Sequence, residues 1–273
     1  MQPSPPLTRD AIASTLSTRD FGHRLELFNQ VPSTNREAIE LAQAGCEHGT
    51  VITADSQTAG RGRLSRSWFS PAGSNVYCSI VIKKSIPIDR LTDWLSWLPL
   101  VTALATTEAL QTVAAAAVSV KWPNDLVIGD KKVGGILCES GTTPEGPYQV
   151  IGIGLNVNVD RDDFPLEIRD LATSIWHEQR MIVDRNRLLA QLLNELEPCI
   201  DELAARGTER VARAYRQRCS TIGKTVKATL AAGSDCIGLA EAIGPDGSLQ
   251  VRSTTTPASL LSLRVADIIH LRS

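Results

Sequence analysis

The stretch from Val118 to Val159 constrains this chain more than any other. Short apolar runs, "VSVKW", "LVI", "VGGILCES" and "YQVIGIGLNVNV", follow one another with only "PND", "GDKK" and a Gly/Pro segment between them. A parallel neighbour needs a crossover of about a dozen residues or more, and these hops leave no room for one, so antiparallel pairing is expected over much of the sheet. Three earlier segments, "HRLELF" (23–28), "VITAD" (51–55) and "NVYCSIVI" (75–82), also read as strands. Between the last two lies a Gly/Ser/Arg segment, 56–75, long enough to expect a functional loop.

Helices are expected around these strands. In "STNREAIELAQAG" (33–45), Thr34 to Glu37 fits a capping box and Gly45 stands where a helix stops. From Leu91 to Ala117 apolar residues run almost all the way round, which predicts a helix buried against the sheet. Leu188, Leu192, Leu196 and Ile200 recur at i+4 between Asp184 and Gly207, the mark of an amphipathic helix. After Cys219 the chain turns to short β-rich pieces and turns such as "GPDG". The expected fold class is therefore α+β. Residues 1–218 would form a mixed, largely antiparallel sheet backed by helices, and 219–273 a small β-barrel packed against it.

A formal charge of −2 argues against a general nucleic-acid binder, which would show a basic excess. The uncharged run Trp94 to Thr107 is too short to span a bilayer and contains Pro99, so no membrane span is expected. "MQPSPPLTRD" lacks the basic start and apolar run of a secretory signal. The six cysteines lie far apart, without metal-ligand spacing, as suits reduced thiols in a cytoplasmic protein, and no metal site is expected from a protein motif.

Against that mildly acidic background, "GRGRLSRSW" (60–68) sets Arg61, Arg63 and Arg66 and Trp68 behind Gly60 and Gly62. Glycines let backbone amides approach a ligand, and guanidinium forks match phosphate or carboxylate oxygens. It is neither a P-loop nor a dinucleotide turn, and a solvated basic loop explains it equally well. In "KWPNDL" (121–126), Lys121 could meet a phosphate while Asn124 and Asp125 recognise polar groups, although the same residues make an ordinary turn. "KKVGGILCE" (131–139) puts Lys132 before Gly134 and Gly135, and glycines inside a strand mark close approach. "GIGLNV" (152–157) repeats this and ends on Asn156; Ser33, Thr34 and Asn35 open a helix, where free N–H groups can receive a small polar head or simply be capped. The four histidines form no triad, and no G-x-S-x-G is present, so nucleophilic catalysis has no candidate.

In this order, "STN", "SQTAGRGRLSRSW", "KWPNDL", "KKVGGILCE" and "GIGLNVN" resemble the biotin protein ligases, and "ATSI" (172–175) and "DRNRLL" (184–189) extend the likeness. The resemblance implies a catalytic domain of the class II aminoacyl-tRNA synthetase type followed by an SH3-like β-barrel. It implies that Ser33, Thr34, Asn35 and Gln57 meet biotin's ureido head, with Gly134 and Gly135 leaving room for the ring. Gly60, Arg61, Gly62 and Arg63 would close over biotin's carboxylate and the AMP phosphate, ordered by Trp68. Arg66, Lys121, Asn124 and Asn156 would serve ATP, Lys132 would stabilise the charge passing between carboxylate and α-phosphate, and Asp125 would receive the incoming amine.

The implied reaction forms biotinyl-5′-AMP from biotin and MgATP, then transfers biotin to a lysine of a biotin carboxyl carrier domain. Such chemistry needs positioning and charge stabilisation rather than a protein nucleophile. Only residues 1–22 precede the first strand, so the DNA-binding winged helix of some members is expected to be missing; a homodimer is compatible with the likeness. Ser65 stands where many members carry Gly, which should stiffen the loop. Two other readings stay open: a lipoate or octanoate ligase or transferase of the same superfamily, and a ligand- or RNA-binding regulator using the Arg loop.

Overall fold

In the computed structural model, residues 4–230, 235–254, 259–264 and 266–271 are described. A short helix α1 (Arg9–Ala13) precedes β1 (Leu25–Val31), α2 (Thr34–Gln43), β2 (Val51–Gln57), β3 (Val76–Ile82) and α3 (Leu91–Ala114). The meander follows as β4 (Ser119–Lys121), β5 (Asp125–Ile128), β6 (Lys131–Thr143) and β7 (Gly146–Leu155). Helices α4 (Ile175–Gln179), α5 (Arg185–Arg206) and α6 (Glu209–Arg218) lead to β8 (Thr225–Leu230), β9 (Asp235–Ile243), β10 (Leu249–Ser253), β11 (Leu260–Leu263) and β12 (Ala266–His270).

The first seven strands form one sheet in the order β1-β2-β3-β7-β6-β5-β4. Every neighbouring pair runs antiparallel except β1 with β2. That exception follows from the chain: α2 lies between these two strands and provides the crossover that parallel neighbours require. Alternation along the strands gives the sheet two covered faces. Ile52, Val81 and Val150 pack with Ala38 and Ala42 of α2, whereas Val51, Ile80, Ile82 and Ile151 join the larger core with α3 and α5. Hence β3 is buried along its whole length, as strands sandwiched between helices are.

Helix α5 begins where Asp184 accepts from the Asn186 amide and ends at Gly207, with φ 79°. The all-round apolar helix α3 stops at Ala114, three residues short of the sequence expectation, with Ala115 left-handed at φ 49°. The expected capping box at α2 does not form. Ser33 is the N-cap without a side-chain cap bond, and the Thr34 amide instead donates to Gln57 Oε1, 2.9 Å away on β2.

The second sheet, β11-β10-β9-β8-β12, is antiparallel throughout. Indole N–H groups tie it to α3 and to the turn after β4: Trp97 Nε1 donates to Pro245 O at 2.7 Å and Trp122 Nε1 to Gly247 O at 3.0 Å. Backbone bonding continues the join, with Val120 bridged to Cys219 and the Ser220 amide donating to Val120 O. All six cysteines are free. Among the described residues no helix is long and apolar enough to cross a membrane.

Candidate active site

Strand β6 organises the site, because its residues face alternate sides and its neighbours bring the other motifs to it. At one end, Lys132 Nζ lies 2.6 Å from Asp125 Oδ1 and 5.4 Å from the centre of the Trp68 ring. The Lys132 backbone is tied down on both sides, its amide donating to Leu171 O and its carbonyl accepting from Thr173 N. A Cβ on Gly135 would sit 3.3 Å from Lys132 Nζ, so this glycine leaves the lysine its place. Gly134 points to the other side, where a Cβ would meet Leu155 and Leu126; the room it leaves is filled by core leucines.

Lys121 pairs in register with Asp125. Burial lowers the Lys121 pKa first, and Lys132 adds to this while Asp125 opposes it, which brings two lysines into one local field. Beside them Asn124, on the turn before β5, donates its amide to Ile136 O at 2.8 Å and accepts from Arg63 Nη1 at 2.9 Å. The KWPND turn, closed by a cis Trp122–Pro123 bond, therefore meets the arginine loop.

The loop itself is an ordered hairpin. Arg61 bridges Ser67, the Gly62 amide donates to Arg66 O, and Trp68 N donates to Gly60 O at 2.9 Å. A Cβ on Gly60 would lie 2.6 Å from Ser70 Oγ and Trp68 O, so glycine is needed where the two arms meet. At the tip Leu64 and Ser65 are both left-handed, with φ of 53° and 58°. Ser65 thus occupies a left-handed backbone position that favours glycine. Trp68 then folds over β7: its Nε1 would be 2.6 Å from a Cβ on Gly154.

Midway along β6, the start of α2 forms a dense polar cluster. Gln57 Oε1 accepts from the Thr34 amide and faces the Thr34 hydroxyl at 3.3 Å, while its Nε2 donates to Ser70 Oγ at 2.9 Å. Asn35 donates to Leu137 O at 3.1 Å and to Glu139 Oε2 at 2.8 Å, and its Oδ1 accepts from the Ser79 hydroxyl at 2.6 Å. Asn35 fits only because Gly152 has no side chain to fill its place. Glu139 also accepts from Arg61 Nη2, at 3.1 and 2.8 Å.

The structure thus brings Ser33, Thr34, Asn35, Gln57, Arg61, Arg63, Trp68, Asn124, Asp125, Lys132 and Gly135 around one stretch of β6. Asn156 stands one step removed, its Nδ2 donating to Thr173 O at 3.1 Å and so bracing the segment that holds Lys132. Arg66 lies exposed near the hairpin tip. Glu139, Ser79 and Ser70 belong to the cluster without having been singled out in the sequence. Glu139 alone had a readable signal, since it lies four residues after Gly135 on the same face of a strand.

Residues 27–158 match the model of the biotin/lipoate A/B protein ligase family. The biotin–[acetyl-CoA-carboxylase] ligase of Mycobacterium tuberculosis is 33% identical over 98% of this chain and 97% of its own length. The chain belongs to the biotin protein ligase family. Consistent with that membership, the bifunctional ligase/repressor BirA of Bacillus spizizenii is 32% identical over 96% of this chain and 78% of its own length. The biotin protein ligase of Aquifex aeolicus in complex with biotin and ATP superposes with a TM-score of 0.76 at 26% identity, covering 92% of this chain and all of that one. In this member the family's mixed sheet and helices carry the Arg loop and Lys132 together.

Proposed function

We propose that this chain is an ATP-dependent ligase that activates biotin to biotinyl-5′-AMP and transfers it to a lysine of a biotin carboxyl carrier domain, as in acetyl-CoA carboxylase. The observation that carries this reading is that Lys132, Arg63 and Arg61 are held on neighbouring groups of the sheet, Asp125, Asn124 and Glu139, in a chain that aligns with a biotin ligase over nearly its whole length.

On this reading Thr34, Asn35 and Gln57, with Ser33 next to them, bind biotin's polar head through the hydrogen-bonding groups gathered at the start of α2. Arg61 and Arg63, with the amides near Gly60 and Gly62, face the carboxylate and the α-phosphate. A carboxylate oxygen of biotin attacks the α-phosphorus, the bond to the leaving pyrophosphate breaks, and Lys132 stabilises the charge shared between the two groups. Lys121, Asn124 and Arg66 hold the phosphates, with Asn156 bracing the wall and Trp68 shielding the mixed anhydride from water. In the second half-reaction Asp125 receives the carrier lysine's ammonium; after the ammonium loses a proton to solvent the neutral amine attacks the acyl carbon, AMP leaves with the electrons of the broken acyl–oxygen bond, and the remaining amine proton passes to solvent. Magnesium comes with the phosphates of ATP; the carboxylates Asp125 and Glu139 each already face a cation of the protein.

The same reading assigns residues 1–218 to catalysis and 219–273 to an SH3-like unit. It places the protein in the cytoplasm, gives it no role on DNA, and is compatible with a homodimer. ATP–pyrophosphate exchange tests the reading: exchange should depend on added biotin and not on lipoate. Exchange that follows lipoate would transfer the assignment to the lipoate branch of the family, and RNA binding without exchange would overturn it.

A further inference from the structure

We propose that Glu139 is a positioning residue of the ligation reaction, whose carboxylate anchors Arg61 and with it the 60–68 hairpin against β6, where the hairpin retains the anionic acyl-adenylate. This rests on the function proposed above and adds to it a residue that touches no substrate.

One carboxylate joins two separate parts of the site. Its two oxygens accept from Arg61 Nη2 at 3.1 and 2.8 Å, and Oε2 also accepts from Asn35 Nδ2 at 2.8 Å. Asn35 is itself fixed by Leu137 O and the Ser79 hydroxyl, in the notch left by Gly152. Glu139 is therefore presented on a rigid floor, while its partner rides on a loop that bulges into solvent. Side-chain exposure reflects this, at 45% for Arg61 and 27% for Glu139.

Charge shows what the pair contributes. A carboxylate beside an arginine lowers the positive potential that would draw an anion, so Glu139 cannot serve the site by attracting ligand. Its contribution is geometric. An arginine has five N–H donors in a planar fork, and holding it through Nη2 fixes the plane in which Nε and Nη1 meet a ligand. Partly exposed ion pairs are also weak, so this contact can be given up when the carrier lysine must reach the anhydride.

Release of preformed biotinyl-5′-AMP and the KM for biotin, measured for E139Q, E139A, E139D, R61Q and the R61Q/E139Q double variant, test this. Gln keeps an acceptor for Asn35 but removes the charge facing Arg61. E139Q should therefore release the adenylate about three- to fivefold faster, the upper part of the range for an exposed ion pair, with biotin KM changed by less than about twofold. E139A should raise both quantities, because Asn35 loses its acceptor too, and E139D should recover part of the retention. In the R61Q background, E139Q should add nothing. Unchanged release by E139Q, or an equal acceleration with and without Arg61, would overturn the positioning role. A parent protein that forms no biotinyl-5′-AMP would overturn the proposed function itself; a parent that forms and holds it, beside an unaffected E139Q, would overturn Glu139 alone.

Discussion

Lys132 is a residue whose neighbours define its role. It has a carboxylate 2.6 Å away on Asp125, an aromatic face at 5.4 Å, and backbone bonds to residues 171 and 173 that fix its Cα. A lysine held that firmly is preorganised to meet charge that develops during reaction, and removal of one such donor costs about 100-fold or more in rate. Lys132→Ala should therefore lower biotin-dependent pyrophosphate release by at least that order while the thermal midpoint moves little. Pyrophosphate release near the parental rate would show that the charge is stabilised elsewhere.

At the scale of elements, glycines on β7 let a loop and a helix reach the sheet. Gly152 admits Asn35 from α2, and Gly154 admits the Trp68 ring from the arginine hairpin. A methyl at 154 would lie 2.6 Å from Trp68 Nε1, and the displaced atoms belong to a side chain on a surface loop. Gly154→Ala should thus lift the hairpin rather than unfold the sheet. Overpacking of this kind costs about 1–3 kcal/mol, so trypsin should cut within 61–66 about tenfold faster, an effect read by timed digestion. Cleavage at the parental rate would mean that Trp68 does not hold the loop.

For the whole molecule, the join between the two sheets carries a pH dependence. His270 Nε2 lies 3.1 Å from the Thr221 hydroxyl, and its Nδ1 faces Lys224 Nζ at 3.3 Å, an arrangement that suits a neutral ring. Burial first, then Lys224 and Lys121, push its pKa down from 6.5 to about 4, with Asp130 opposing. As pH falls below about 6.5 the unfolded chain takes up the proton first, so this contribution to stability is intact above that pH and is lost toward pH 4. His48, also lowered by burial, acts in the same direction, so the test is a difference between proteins. His270→Gln should narrow the loss of thermal midpoint between pH 7 and pH 5 by about 2–4 °C, the shift expected for roughly 1 kcal/mol in a domain of this size. Equal losses in both proteins would show that His270 is solvated.

The antiparallel meander was legible in the chain, because its turns are too short for anything else, and so were the long helices, because Leu188 to Ile200 and the run from Leu91 carry the period or the continuous apolarity of buried helices. The chain's ordered motifs also determined the family, since Lys132, Asn124 and the glycine-arginine loop lie in an order that chance does not supply. Tertiary structure alone decided which groups those residues meet. The helix α2 is capped by Gln57 from a strand and not by its own Glu37, because the local box depends on side-chain geometry that a neighbouring strand can replace. Gly134 and Gly135 are identical in sequence, yet one faces leucines and the other Lys132, because the pleat sends them to opposite sides. Asn156 reads as a ligand group, and its Nδ2 meets the Thr173 carbonyl; Glu139, which no motif marked out, sits between Arg61 and Asn35. Local periodicity fixes which face a residue takes, but contacts between residues tens of positions apart exist only after the sheet has formed.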